Sequence, residues 1–358
     1  MAAVLGLGLS HYPGPLVPVQ HWPRMLARNV KVGRIPPEVY ADRAGWPAPM
    51  RAEWGDDAGH TAAVKHRERL LAGYATLRAT LDTFAPDLVL VFGDDQFENF
   101  RLDGVPAFCA YIFDELSCQP YGGGATPFET DENAFGLPPD TPLSLRGHPQ
   151  AAQALATHLL DVGFDLAWAS TTRHPAGLAH SFANTVLFLD LPDAGRGFCY
   201  PLIPLHVNCY GGQLLTGAAR GAGADVPAFV TPPSPSPARC FELGNAIGRF
   251  FAASPWRAAI VASSSWSHGS LTAKHQRLYP DVDADRRLRA DLDSSAWTGW
   301  GTLTREAIED AGQHEVLNWI CLAGAMAALG QRPQVVDFVE SWVFNSSKCF
   351  AAFPPAGE

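Results

Sequence analysis

No apolar run in the sequence approaches the roughly 18 residues that a membrane-spanning helix requires. The opening segment, MAAVLGLGL, is apolar but has no basic start and no cleavage-type ending, so it reads as a strand rather than a signal peptide. Basic residues are short as well: 26 Lys and Arg stand against 36 Asp and Glu, a formal net charge of -10. Nucleic acids and anionic membrane surfaces both select basic patches, so neither is an expected partner. The seven cysteines are odd in number, have no paired spacing and form no CxxC. They fit reduced thiols in a cytoplasmic protein, not a disulfide framework.

What is present describes a compact enzyme-sized chain: 358 residues, 47% hydrophobic and 17% charged. A single α/β domain over residues 1–358 is expected, with a central, mostly buried sheet flanked by helices and long loops covering a pocket at the strand ends. Short apolar runs at Val4 to Leu9, Leu88 to Phe92, Leu202 to Cys209 and Ala258 to Ala262 read as strands buried on both faces, with a further strand at Asp165 to Ser170. Leu70, Tyr74, Leu77 and Leu81 share one face of a helix from about Ala62 to Thr83. Further helices are expected at Pro149 to Val162, at Ala238 to Ala252 with Ser236 as its cap, at Ala284 to Asp293 and Thr304 to Asp310, and from Glu315 through Leu329. Residues 17–57 and 97–147 interrupt this pattern and read as insertions, the second as an ordered excursion able to cover a pocket.

The chemistry-bearing residues follow the apolar runs. PDLVLVFGDDQ ends a strand in Asp94, Asp95 and Gln96, and ligands in open α/β sheets sit beyond the carboxyl ends of strands. Gly and Asp are also ordinary turn residues, so a capped turn is the plain alternative. His11, in SHYPG, lies in a tight turn that would fix a ligand or simply satisfy one buried imidazole. His180 opens an apolar segment of unassigned type, and SSSWSH places His268 on a small-residue pocket floor. Glu315 begins a helix whose next residues are almost all apolar; it could serve the helix dipole, but a shielded carboxylate needs a partner and a cation would supply one.

Taken together these stretches resemble the class III extradiol ring-cleavage dioxygenases, the family of the protocatechuate 4,5-dioxygenase catalytic subunit. SHYPG looks like the family's Ser-His-x-Pro. PDLVLVFGDDQ is similar to its strand ending Asn-Asp-His, PLHVN to its Pro-x-Pro-Val-Asn, RCFELG to its Arg-Cys-x-x-Leu-Gly, SSSWSH to its Gly-Thr-Gly-Gly-x-Ser-His, and HEVLNWICLAGA to the helix bearing its carboxylate ligand. The matches keep their order over most of the chain but leave residues 17–57 and 97–147 uncovered.

The resemblance implies a non-haem Fe(II) cofactor, a catechol-type aromatic substrate with O2, extradiol cleavage, and a homo-oligomer. It makes His11 and Glu315 metal ligands, His268 the acid/base and His180 a histidine that positions substrate or bound oxygen. The family's second ligand histidine falls on Gln96, a weak neutral donor. Three outcomes follow from that departure: Gln96 or its neighbour Asp95 binds metal in an altered site, another histidine such as His60 or His66 fills the place, or the metal is lost. A metal-dependent hydrolase or another oxygenase on the same scaffold, and a non-catalytic ligand-binding relative, are the rival expectations.

Overall fold

The computed structural model describes residues 2–122, 127–174, 177–191, 197–211 and 232–355. Its centre is an eight-stranded sheet built from β1 (Val4–Leu9), β2 (Leu88–Gly93), β3 (Phe108–Tyr111), β6 (Ala167–Ala169), β7 (Leu202–Val207), β8 (Ala258–Ser263), β9 (Gln334–Val339) and β10 (Lys348–Phe353), in the order β6-β3-β7-β2-β8-β1-β10-β9. A two-stranded ribbon, β4 (Glu115–Cys118) with β5 (Leu143–Arg146), lies apart from it. The four middle strands β7, β2, β8 and β1 run parallel, while β10 pairs antiparallel with β1, and β3 antiparallel with β7.

Every residue of β1, β2, β7 and β8 is buried, which explains their unbroken apolar character. Alternate side chains feed two cores. Leu5, Leu7, Val89, Val91 and Val261 join α4 (His60–Phe84) and α6 (His180–Asp190) on one face. On the other, Leu90, Phe92 and Ile260 meet α5 (Pro149–Asp161), α7 (Pro237–Ala253) and α10 (Val316–Ala328). The apolar segment Ala183 to Leu189 lies within α6, which is buried all round and so shows no period to distinguish helix from strand. Ser236 caps α7 through its hydroxyl, which accepts from the Arg239 N–H at 3.2 Å.

Residues 17–57 carry three short helices, α1 (Arg24–Lys31), α2 (Pro37–Ala41) and α3 (Ala48–Trp54), and bury Trp22, before α1, with Met25, Leu26 and Met50 in the first core. Residues 97–147 contribute β3 to the central sheet as well as the ribbon. The expected strand at Asp165 to Ser170 shortens to three residues at the sheet edge, where Trp168 is exposed. No helix among the described residues is long and apolar enough to cross a membrane.

Close packing sets the position of α10. A Cβ at Gly8 would stand 2.1 Å from the Trp319 ring, and one at Gly244 would stand 1.8 Å from the Cys321 carbonyl oxygen. Glycine at these two places lets α10 lie directly on β1 and against α7. The Trp319 indole N–H then donates to the Ser264 carbonyl at 3.1 Å, holding the start of α10 over the end of β8.

Candidate active site

The site grows from the register of the parallel strands. Leu9 pairs with Ser263, and Phe92 with Ala262, so the three chains leave the sheet at one level: Ser10-His11 from β1, Asp94 from β2 and Ser264 from β8. The Ser264 N–H donates to the Leu9 carbonyl at 2.9 Å, continuing the ladder by one rung. Glu315, the residue before α10, is brought over these ends by the glycine-permitted packing, and the Ser264 hydroxyl donates to its carbonyl at 2.9 Å.

His11 is held from behind. Its Nδ1–H donates to the Ser263 carbonyl at 2.8 Å; a carbonyl can only accept, so Nε2 bears the lone pair. That Nε2 lies 3.5 Å from Glu315 Oε2 and 3.9 Å from Asp94 Oδ1. Burial lowers His11 to about 4, against the pull of Glu315, so the ring is neutral near pH 7. Asp94 is pushed well up, first by burial and then by the Glu315 charge. Burial pushes Glu315 up too, but His268, His11 and the Tyr210 hydroxyl outweigh it and hold the carboxyl below its usual range.

The Glu315 carboxylate and the His11 imidazole therefore face each other with lone pairs, and Asp94 adds a third once it gives up the proton that burial favours. Asp94 Oδ2 and Glu315 Oε2 are buried and have no hydrogen-bond partner among the described residues. Those same residues contain one group of three or more His, Cys, Asp or Glu whose ligand atoms come within 4.8 Å of one another, and it is His11, Asp94 and Glu315. Buried anions without donors are costly, and a divalent cation is the partner that relieves all three at once. The donor set fits a metal ion.

Around this group the remaining histidines differ in exposure. The His268 side chain is 14% exposed against 3% for His11, so His268 stands on the open side. Its Nδ1–H donates to the Trp266 carbonyl at 2.8 Å, which leaves Nε2 free to accept, 3.4 Å from Glu315 Oε1. His180 begins α6, and its ring stands edge-on to His11 with centroids 5.0 Å apart. Its Nδ1–H lies 2.9 Å from both oxygens of Glu98. Burial opposes its protonation, but Glu98, with Asp94 and Glu315 behind it, raises the imidazole to about 10.

Of the two turn residues with an expected metal role, Gln96 reaches the site through its amide, donating from Nε2 to the Tyr210 hydroxyl at 2.8 Å and toward Glu315 Oε1 at 3.3 Å. The Tyr210 hydroxyl in turn donates to Glu315 Oε1. Asp95 is engaged elsewhere: its oxygens accept the N–H groups of Glu98 and Asn99, each at 2.9 Å, so it closes the turn after β2. Of the reserve histidines, His60 is exposed at the start of α4. His66 packs among Tyr12, Trp22 and Phe344, with rings in place of carboxylates around it.

Sequence reasoning placed Asp94 at the strand end beside Asp95 and Gln96 but left it out of the ligand set, and gave Tyr210 and Glu98 no role. The signal for Asp94 was its place directly after β2, one residue closer to the ladder than Asp95. Tyr210 follows β7 as Asp94 follows β2. Glu98 had no signal, since it acts by reaching another element.

No family model matches the chain. It is similar over most of its length to curated proteins named 2,3-dihydroxyphenylpropionate/2,3-dihydroxicinnamic acid 1,2-dioxygenase. That of Cupriavidus necator is 24% identical over 318 residues, covering 75% of this chain and 86% of the relative. That of a Rhodococcus species is 27% identical over 318 residues, 79% of this chain and 87% of the relative. That of Burkholderia vietnamiensis is 26% identical over 313 residues, 74% and 84%. Among solved structures, an uncharacterized protein of Escherichia coli K12 aligns with a TM-score of 0.42 at 14% identity, covering 79% of this chain and 92% of that one, too remote to bear on the activity.

Proposed function

We propose that this chain is an Fe(II)-dependent dioxygenase of the class III extradiol type, which inserts both atoms of O2 into a catechol-type ring and releases a ring-opened semialdehyde acid. The observation that carries the reading is the His11 Nε2 lone pair facing Glu315 Oε2, which has no partner among the described residues, and Asp94 Oδ1, with His268 standing on the open side. Similarity to proteins named as dioxygenases over three-quarters of the chain supports it.

His11 and Glu315, together with the turn after β2, would hold the ion, which when bound brings the two ring oxygens and O2 together as template and Lewis acid. The chain's own residues supply the proton handling. His268, fixed by the Trp266 carbonyl, accepts a phenol proton at Nε2 and returns it as the ring opens. His180, protonated and gripped by Glu98, presents its remaining Nε2–H to an anionic oxygen. Burial of His11, Asp94 and Glu315 keeps water from competing for the same donors.

The test is metal analysis of anaerobically purified protein combined with oxygen uptake on a panel of catechols. Iron in the protein, with one O2 consumed per ring opened, is the expected result. Zinc without oxygen consumption, or no metal, would overturn the reading.

A further inference from the structure

We infer that the metal centre of this chain is held by one imidazole and two carboxylates, His11, Asp94 and Glu315, and that Gln96 is a positioning residue acting through Tyr210 instead of a ligand. This rests on the proposed function in taking the site to be a metal centre, and goes beyond it in assigning the ligands and the class of ion they suit.

Three observations converge. The ligand atoms of His11, Asp94 and Glu315 lie within 4.8 Å of one another. Asp94 and Glu315 are both 0% exposed, and each keeps one oxygen without a partner among the described residues. Asp94 is also steered into place: Asn318 Nδ2 donates to its Oδ1 at 3.3 Å, and the Ser181 hydroxyl donates to its carbonyl at 2.6 Å. Outer hydrogen bonds of this kind orient metal-binding carboxylates.

Gln96 is occupied in a different way. Tyr210 has one hydroxyl hydrogen and gives it to Glu315, so the group 2.8 Å away on Gln96 must be a donor, which assigns the amide NH2 to the side facing the site. An NH2 group offers a cation no lone pair. Gln96 instead fixes Tyr210, and Tyr210 fixes Oε1 of Glu315, leaving Oε2 toward His11.

The substitution of a carboxylate for an imidazole changes what the centre prefers. Two carboxylates cancel the charge of a divalent ion, and an oxygen-rich donor set suits hard ions such as Mn2+ better than a two-imidazole set does, alongside Fe2+. The pull on a second anionic substrate oxygen then falls more heavily on the surrounding protein.

The experiment is a titration of metal-free protein with Mn2+ under argon, with free ion counted by its electron paramagnetic resonance signal. Wild type is expected to bind one ion per chain. Asp94→Asn should weaken binding by more than about 100-fold, whereas Gln96→Ala and Asp95→Asn should each weaken it by no more than about tenfold. Circular dichroism of the metal-free variants reports folding; Asp94→Asn keeps the shape of the side chain and should melt no lower than wild type. Should it fail to fold, Asp94→Glu, which keeps the charge but displaces the oxygens, is expected to show the same loss. Binding lost in Gln96→Ala and kept in Asp94→Asn would overturn the ligand assignment while leaving the proposed function standing. Wild-type binding in His11→Ala and Glu315→Gln, or no binding by wild type, would overturn both.

Discussion

Two kinds of buried carboxylate occur in this molecule, and their difference separates structure from function. Asp95, and with it the half-buried Glu53, is closed. Asp95 accepts two backbone N–H groups, and Glu53 accepts from the Ser341 hydroxyl at 2.9 Å and from the N–H groups of Trp342 and Val343 at 2.6 and 3.0 Å. Each satisfies the ends of a turn that would otherwise lack acceptors. Asp94 and Glu315 are open: each has an oxygen, Oδ2 and Oε2, without a hydrogen-bond partner among the described residues, and the His11 Nε2 lone pair faces Glu315 Oε2 and Asp94 Oδ1. Asp285 also keeps an oxygen, Oδ2, without a partner among the described residues, but it joins no group of three or more ligand atoms there, as Asp94 and Glu315 do with His11.

The largest effect that would break this comparison is expected in Glu315→Gln. Removing the charge while keeping the shape should abolish metal retention and ring-cleavage activity in a protein that still folds, read by metal content, oxygen uptake and circular dichroism. Wild-type values for both would place Glu315 among the closed, structural acids. Next is His268→Ala, expected to slow turnover by about 10² to 10⁴ with metal content nearly unchanged, the usual scale for a general acid/base. Loss of the metal in that variant would move His268 into the ligand set.

A smaller effect tests the ion pair beside the site. Glu98→Gln removes the anion that holds His180 protonated and should cost roughly 1 to 3 kcal/mol in the metal-free protein, the scale of a charged hydrogen bond. The sign with pH follows from the raised imidazole. A folded-state value of about 10, against an ordinary 6.5, gives stability that is fully present below about pH 6.5 and lost as pH rises through about 10. The difference between wild type and variant in denaturant melts should therefore shrink across that window, and a constant difference would refute the pairing. The smallest effect is Asp95→Asn, which keeps one acceptor for the turn and should cost about 1 kcal/mol or less in stability with metal binding retained.

Much of this organisation was legible in the residues. The unbroken apolar runs at β1, β2, β7 and β8 marked strands covered on both faces, and the four-three-four spacing of Leu70, Tyr74, Leu77 and Leu81 marked the buried face of α4. The strands β9 and β10 left no such mark. Lys348–Phe353 opens with lysine and cysteine and continues through two alanines, and is wholly buried because neighbouring elements cover it. The short helices in residues 17–57 were hidden for a related reason: proline starts α2 and α3 and breaks any period, while tertiary contacts bury Met50 of α3 and leave Val39 and Tyr40 of α2 half-buried.

The sequence by itself determined that His11, the Asp94-Asp95-Gln96 turn, His268 and Glu315 stand at the ends of buried elements, because an apolar run must stop where the polar residues begin. Only the tertiary structure decided which of two adjacent aspartates faces His11 and which closes a turn. That choice depends on the strand register, which levels Asp94 with Ser264, and on the approach of α10 over Gly8, which brings Glu315 to meet it. Side-chain direction after a strand is set by the path of the turn, and the turn after β2 answers to partners on α6 and α10, Ser181 and Asn318, that lie far along the chain.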